Sequence, residues 1–322
     1  MADKSLRGHT SLLVAYVIFG LNTPIAKAVL ISGEVSAIAL TFYRMAGAAL
    51  LFWIFSFFVK REDVKIGDIL LLFLASMFGI LINQTSFIVG LSLTSPIDAS
   101  VIATIGPILT MLLAAIFLKE PITWKKALGV FIGAAGALLL IMNSNLSSVR
   151  GGASIEGNLL CILSSLSFAI YLTAFKRLIS KYSSITVMKW MFLFAALCSI
   201  PLSWSHITAV NYGELSMEMW LRILFVVVMA TFLAYLFIPT GQRLLRPTVV
   251  SMYNYLQPLV SSLVAVALGM DMFGWEKSGA AIMIFLGVYI VIQSKSRAQL
   301  EAEVSKESGR VPAPANIDAE DA

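Results

Sequence analysis

The sequence predicts an all-α integral membrane protein in which ten transmembrane helices form two inverted five-helix repeats. Three observations carry this. Of 322 residues, 59% are hydrophobic and 13% charged, against roughly 45–50% and about 25% in a soluble domain. Apolar runs of about 20 residues, the length that crosses a hydrocarbon core as a helix, recur along the chain. The spacing of Gly, Pro, Trp and acidic positions in the first half returns in the second.

Ten runs read as helices, over 10–30, 36–58, 67–90, 96–118, 125–142, 156–178, 185–203, 219–241, 247–269 and 277–294. Each is a helix because lipid cannot satisfy an exposed backbone amide. The first run carries Asn22, Pro24 and Lys27 with no Ala-x-Ala site after it, so it reads as a retained helix rather than a cleaved signal. The organisation expected is an amino-terminal segment (1–9), a first repeat (10–142), a linker (143–155), a second repeat (156–294) and a tail (295–322). The tail is charged and poor in aromatics, the composition of a disordered segment.

Basic residues orient the chain. With the amino terminus in the cytoplasm, 18 of the 23 Lys and Arg fall in inside segments. Lys27, Arg150, Arg222 and Lys277 fall outside, and Arg44 lies within a span. This bias follows the positive-inside rule and puts both termini in the cytoplasm of a bacterial-type plasma membrane. The net charge of +5 does not point to nucleic acid, because the basic residues form no face. They sit between apolar runs, where anionic lipid headgroups attract them.

The repeat is specific. At an offset of 151, Gly90, Pro96, Pro107, Trp124, Lys126 and Gly136 fall on Gly241, Pro247, Pro258, Trp275, Lys277 and Gly287. Glu120 falls on Asp271, keeping the charge. At an offset of 149, Gly8, Phe19 and Lys27 fall on Gly157, Phe168 and Lys176. Five helices is an odd number, so the second copy enters the membrane upside down. Inverted repeats let two related halves exchange conformations, which turns an outward-open cavity into an inward-open one.

FGLNTPIAK over 19–27, FYR over 42–44 and GPILTMLLAAIFLKEPITWKKALGVFIGAAGALLL over 106–140 belong to the first copy. QPLVSSLVAVALGMDMFGWEKSGAAIMIFLGVYIVI over 257–292 belongs to the second. In these residues the chain resembles the EamA-type branch of the drug/metabolite transporter superfamily. It departs at Asp271, where Glu is usual, and at Ala169 and Tyr171, where the first copy has Gly20 and Asn22. The resemblance implies a secondary transporter or facilitator, with a cavity lined by helices one, three and four from one repeat and six, eight and nine from the other. It also implies export of amino acids or related metabolites. Uptake of a nucleoside, sugar or organic cation is the alternative within transport. A lipid flippase component or a membrane-embedded enzyme is the alternative of another class.

Polar groups deep in a membrane are costly and mark cavities or helix contacts. Asn22 precedes Pro24, which removes a backbone hydrogen bond from the first helix. Asn83 and Gln84 are adjacent amides near the middle of the third. Tyr253, Asn254 and Gln257 form the densest polar cluster, with 253 and 257 on one helical face. Tyr171 and Tyr235 offer apolar surface plus a hydroxyl. Each of these either lines a substrate cavity or joins helices. Arg44, roughly 12 Å deep by helical rise, either pairs with Asp98 or a carbonyl near the outer mouth or attracts a carboxylate or phosphate. Gly129, Gly133 and Gly136 make a small face for internal packing, with a homodimer seam as the alternative. No Ser/His/acid set or P-loop appears, and His9, His206, Cys161 and Cys198 have no metal-site spacing. No catalytic residue, metal or cofactor is therefore expected; the partners are a small solute and membrane lipids.

Overall fold

The computed structural model describes residues 2–93, 102–142, 155–267 and 275–295, and its elements are helices throughout. Among the described residues ten main helices follow in order: α1 Ala2–Ser32, α2 Ala37–Ser56, α3 Ile66–Leu93, α4 Gly106–Phe117 and α5 Trp124–Met142 in the first half. The second half has α6 Ile155–Ala174, α7 Ser184–Thr208, α8 Met217–Leu244, α9 over 247–267 and α10 Trp275–Ile292. A short helix, Lys176–Lys181, joins α6 to α7, so the run expected over 156–178 breaks at Phe175. The stretches α1 (from Ser5), α2, α3, α6, α7 and α8 are long and apolar enough to cross a membrane. Asp98, Asp271, most of the 143–155 linker and the tail beyond Lys295 lie outside the described residues.

Local chemistry sets the helix starts. Ser36, Ser183 and Ser216 each accept a hydrogen bond from the amide three residues on, at the heads of α2, α7 and α8. Such caps satisfy amides that no helical carbonyl can reach. Pro107 and Pro247 sit in the first turns of α4 and α9, where a missing N–H costs nothing. Pro24 does not interrupt α1, which continues through it as one helix.

Contacts between helices show how the halves are related. Gly129 closes on Gly287 and Val291, and Gly136 on Ala280 and Met283, so α5 and α10 run antiparallel. Ser36 meets His206 while Phe52 stacks on Phe192, so α2 and α7 also run antiparallel. Both pairs are repeat equivalents, and equivalent helices that oppose one another are the signature of inversion. Other contacts obey the same exchange: α1–α8 mirrors α6–α3, α1–α9 mirrors α6–α4, and α2–α8 mirrors α7–α3. The two halves interlock about a pseudo-two-fold axis rather than standing side by side.

The glycines named for a small face are used inside the chain. Gly129 and Gly136 meet α10, and Gly133 faces the Tyr255 ring. Absence of a side chain there lets two backbones approach, which supplies dispersion contact where lipid offers no hydrophobic drive.

Two irregularities position the site. A π-helical segment, Met77–Ile82, lies in α3 and another, Phe225–Leu233, in α8. At the repeat offset of 151 the first falls within the second. Each ends where α-geometry resumes, at Asn83 and at Ala234. Inserted residues of this kind re-aim the side chains that follow.

Candidate functional site

A cavity of about 150 Å³ lies between the two halves. Its wall takes Tyr16, Phe19, Asn22 and Ala26 from α1, Arg44 from α2, and Asn83, Gln84, Phe87, Ile88 and Leu91 from α3. Ala103 and the α4 residues Gly106 and Thr110 complete the first half. Ser164, Ser165 and Phe168 of α6, Tyr235 of α8, and Asn254 and Gln257 of α9 supply the second. The wall is thus aromatic and apolar, with a few amides and hydroxyls and one guanidinium.

The hydrogen bonds divide these groups into held and unheld. Asn83 Nδ2 donates to the carbonyl and the hydroxyl of Ser164, at 3.0 Å each, and ties α3 to α6. Gln84 Nε2 donates to Tyr235 Oη at 3.1 Å, tying α3 to α8. Gln257 Nε2 donates to Asn254 Oδ1 at 3.2 Å. Against these, Tyr16 Oη, Asn22 Oδ1 and Gln84 Oε1 are buried with no partner among the described residues. Buried polar atoms are nearly always bonded, so three orphans in one wall mark a place where something else completes them.

Arg44 is the single formally charged residue of the described wall, and only 6% of it is exposed. Its Nε donates to Thr231 Oγ1 at 3.0 Å. Thr231 in turn donates to the Val226 carbonyl at 2.8 Å, five residues back, a bond that the π segment of α8 makes available. No carboxylate lies within 4.0 Å of the guanidinium among the described residues.

Of the residues singled out from sequence, Asn22, Arg44, Asn83, Gln84, Tyr235, Asn254 and Gln257 come together on this wall. Tyr253 and Tyr171 do not. Tyr253 Oη lies 2.8 Å from His9 Nδ1, and Tyr171 donates to Gln242 Oε1 at 3.0 Å. Tyr253–Tyr255 is a 3-10 turn, which advances about 120° per residue instead of about 100°. That extra rotation puts Asn254 with Gln257 and carries Tyr253 to another face. Both tyrosines lie toward the end of the bundle where α1 begins, and the Tyr253 ring is 6.2 Å from that of Tyr16. Nothing in the sequence marks out Thr231, a hydroxyl in an apolar run, or Phe87, which reads like any lipid-facing aromatic.

Charges at that same end hold helix termini. Lys126 Nζ bonds Glu120 at 2.7 Å with both nearly buried. Lys176 donates to the carbonyls of Gln242 and Leu245 where α8 ends, and Arg246 to those of Val291, Ile292 and Ser294 where α10 ends. Cations at helix carboxyl termini satisfy orphan carbonyls and oppose the dipole. Burial pushes the Lys176 ammonium down to about 8, against a raising influence of Glu120.

Residues 6–142 and 155–293 each match the model of the EamA-like transporter family. The chain is 25% identical over 253 residues to the uncharacterized transporter YyaM of Bacillus subtilis, covering 79% of this chain and 82% of that one. It is 24% identical to the uncharacterized inner membrane transporter YicL of Salmonella typhimurium, over 91% and 98% of the two chains. It is also 24% identical to a protein of Rickettsia bellii named as an S-adenosylmethionine uptake transporter, over 67% and 70%. A solved crystal structure covers 90% of this chain and 98% of its own with a TM-score of 0.71 at 19% identity, a likeness of fold. With two family units on one inverted helical scaffold, the chain belongs to the EamA-like transporter family and is a multi-pass membrane transporter rather than an enzyme.

Proposed function

We propose that the chain is a secondary transporter that moves an amino acid or related small metabolite across the plasma membrane by alternating access, in the direction of export. The observation that carries this is the cavity at the seam of two inverted halves, with Tyr16 Oη, Asn22 Oδ1 and Gln84 Oε1 buried and unpaired in its wall. Inverted halves supply two related conformations, and a solute that satisfies the orphan groups moves with the cavity as access alternates. The distribution of Lys and Arg supports cytoplasmic termini, and the Salmonella relative's name supports the plasma membrane.

Uptake is the second reading of direction, favoured by the name of the Rickettsia relative. S-Adenosylmethionine carries an amino-acid head, so that relative supports the substrate class on either reading. The test is purified protein in liposomes, given a panel of labelled amino acids with and without a pH gradient. Movement of at least one amino acid above empty liposomes is expected. Failure to move any solute of the panel sinks the proposal. A reporter fused after Lys295 checks orientation: signal on the far side of the membrane from the cytoplasm overturns it.

A further inference from the structure

We infer that Arg44 is the carboxylate anchor of this cavity, that Thr231 positions it, and that the solute is a small carboxylate with an apolar side chain. The inference rests on the transporter reading above and narrows its substrate class.

The argument begins with the cost of the guanidinium. An ionised group this deeply buried is tolerated where an opposite charge or a set of hydrogen bonds meets it. In the described structure Arg44 has one such bond, from Nε to Thr231. Its two terminal nitrogens make no hydrogen bond and no ion pair among the described residues. A charged group inside a membrane protein and short of partners is by default part of a solute path.

Geometry then fixes which edge is offered. The Thr231 hydroxyl gives its hydrogen to Val226, so its oxygen is left to accept from Arg44 Nε. With Nε taken, the free edge of the guanidinium is the pair of terminal nitrogens. Two parallel N–H groups in one plane match the two oxygens of a carboxylate. Thr231 acts only through Arg44, and the π segment that holds Thr231 also delivers Tyr235 to the wall.

The rest of the cavity selects the class of anion. Phe19, Phe87 and Phe168 line it with rings, which suit an apolar side chain and not a phosphate. The unpaired amide oxygens of Asn22 and Gln84 are acceptors suited to an ammonium group. No Asp or Glu stands on the described wall, which disfavours a purely cationic solute. A volume of about 150 Å³ suits a molecule the size of an apolar amino acid.

The test uses the purified full-length chain and a panel of apolar L-amino acids, each paired with its carboxamide. Binding is read by calorimetry and movement by liposome transport. In the wild type at least one acid should bind about 10- to 100-fold more tightly than its amide, the weight of charge-assisted hydrogen bonds. In R44Q that ratio should fall to about one. R44K keeps the charge without the fork and should fall between. T231V should lower the ratio several-fold, and T231S should restore it. An acid-to-amide ratio near one in the wild type overturns the inference, as does a wild-type ratio that survives in R44Q. Should R44Q fail to fold, an unchanged ratio in both R44K and T231V overturns it equally. Transport of some solute with no preference for the carboxylate defeats this inference alone; no transport at all defeats the reading beneath it.

Discussion

Substitution of Gly287 by alanine should separate α5 from α10 and destabilise the chain. A Cβ built at Gly287 sits 2.6 Å from the Gly129 carbonyl oxygen, 2.6 Å from the Gly133 nitrogen and 2.8 Å from the Gly133 Cα. All three are backbone atoms, so no rotamer can give way. Ordinary contact needs about 3.5–4.0 Å, and the helices must therefore part by roughly 1 Å. Overpacking of this kind costs about 1–3 kcal/mol. At about 2–4 °C per kcal/mol for a chain of this order, the Tm should fall by roughly 2–12 °C. The control lies on the same helix. Among the described residues nothing stands within 4 Å of a Cβ at Gly279, so G279A gains up to about 1 kcal/mol of helix propensity. Thermal unfolding of both variants in detergent, followed by tryptophan fluorescence, gives the comparison. A G287A Tm equal to or above that of G279A would refute the reasoning that this seam is set by backbone contact.

Three further outcomes follow from the polar network. Y235F removes the acceptor of Gln84 Nε2 and leaves a buried amide unpaired, at a cost of about 1–3 kcal/mol by thermal or denaturant unfolding; Q84L in the same chain should recover part of it, because an apolar pair leaves nothing unsatisfied. Burial works against the charge of Glu62, yet bonds from Thr186 and from the amide and hydroxyl of Ser183, with the charge of Arg243, outweigh it and hold the carboxyl below its usual range. A depressed carboxyl stabilises above its unfolded pKa of about 4.3, and that stability is lost as pH falls through the folded value, so the Tm of the wild type should drop more steeply than that of E62Q below about pH 4.3. Lys176, pushed down to about 8, binds fewer protons folded than unfolded between about 8 and 10.5; stability attributable to it rises across that window, and K176M should show a flatter Tm profile there.

The helices were legible in the sequence because lipid leaves the backbone no alternative, and the inversion because five is odd. The polar residues of the wall were legible as a group for a related reason: Asn22, Gln84, Asn254 and Gln257 are costly at that depth unless something meets them. Their aim was not. Tyr253 and Gln257 share a face on a regular helix, but three residues of 3-10 turn shift the phase. The π segments of α3 and α8 likewise leave no trace in composition, since MFGILI and FVVVMATFL read as any apolar run. The partner of Arg44 was the hardest to foresee. Among the described residues, which do not include Asp98, its bond is to a hydroxyl 187 positions away, whose hydrogen is committed by a local irregularity.

Symmetry and chemistry part company at the end of the bundle where α1 begins. There, Gly8 packs on Leu244 and Leu245, and Gly241 on Leu12. The equivalent of the Gly241–Leu12 contact is also made at the opposite end, with Gly90 on Cys161. One polar pair has no counterpart of its own kind. His9 and Tyr253 meet at 2.8 Å at one end, but the equivalents at the other are Asn158 and Ile102, and an isoleucine has no hydroxyl to offer. Under the exchange of conformations proposed for transport, the His9–Tyr253 bond therefore has no equivalent between the side chains of Asn158 and Ile102. The seams α5–α10 and α2–α7 pair each helix with its own repeat equivalent, so they map onto themselves under that exchange, whereas the His9–Tyr253 pair does not.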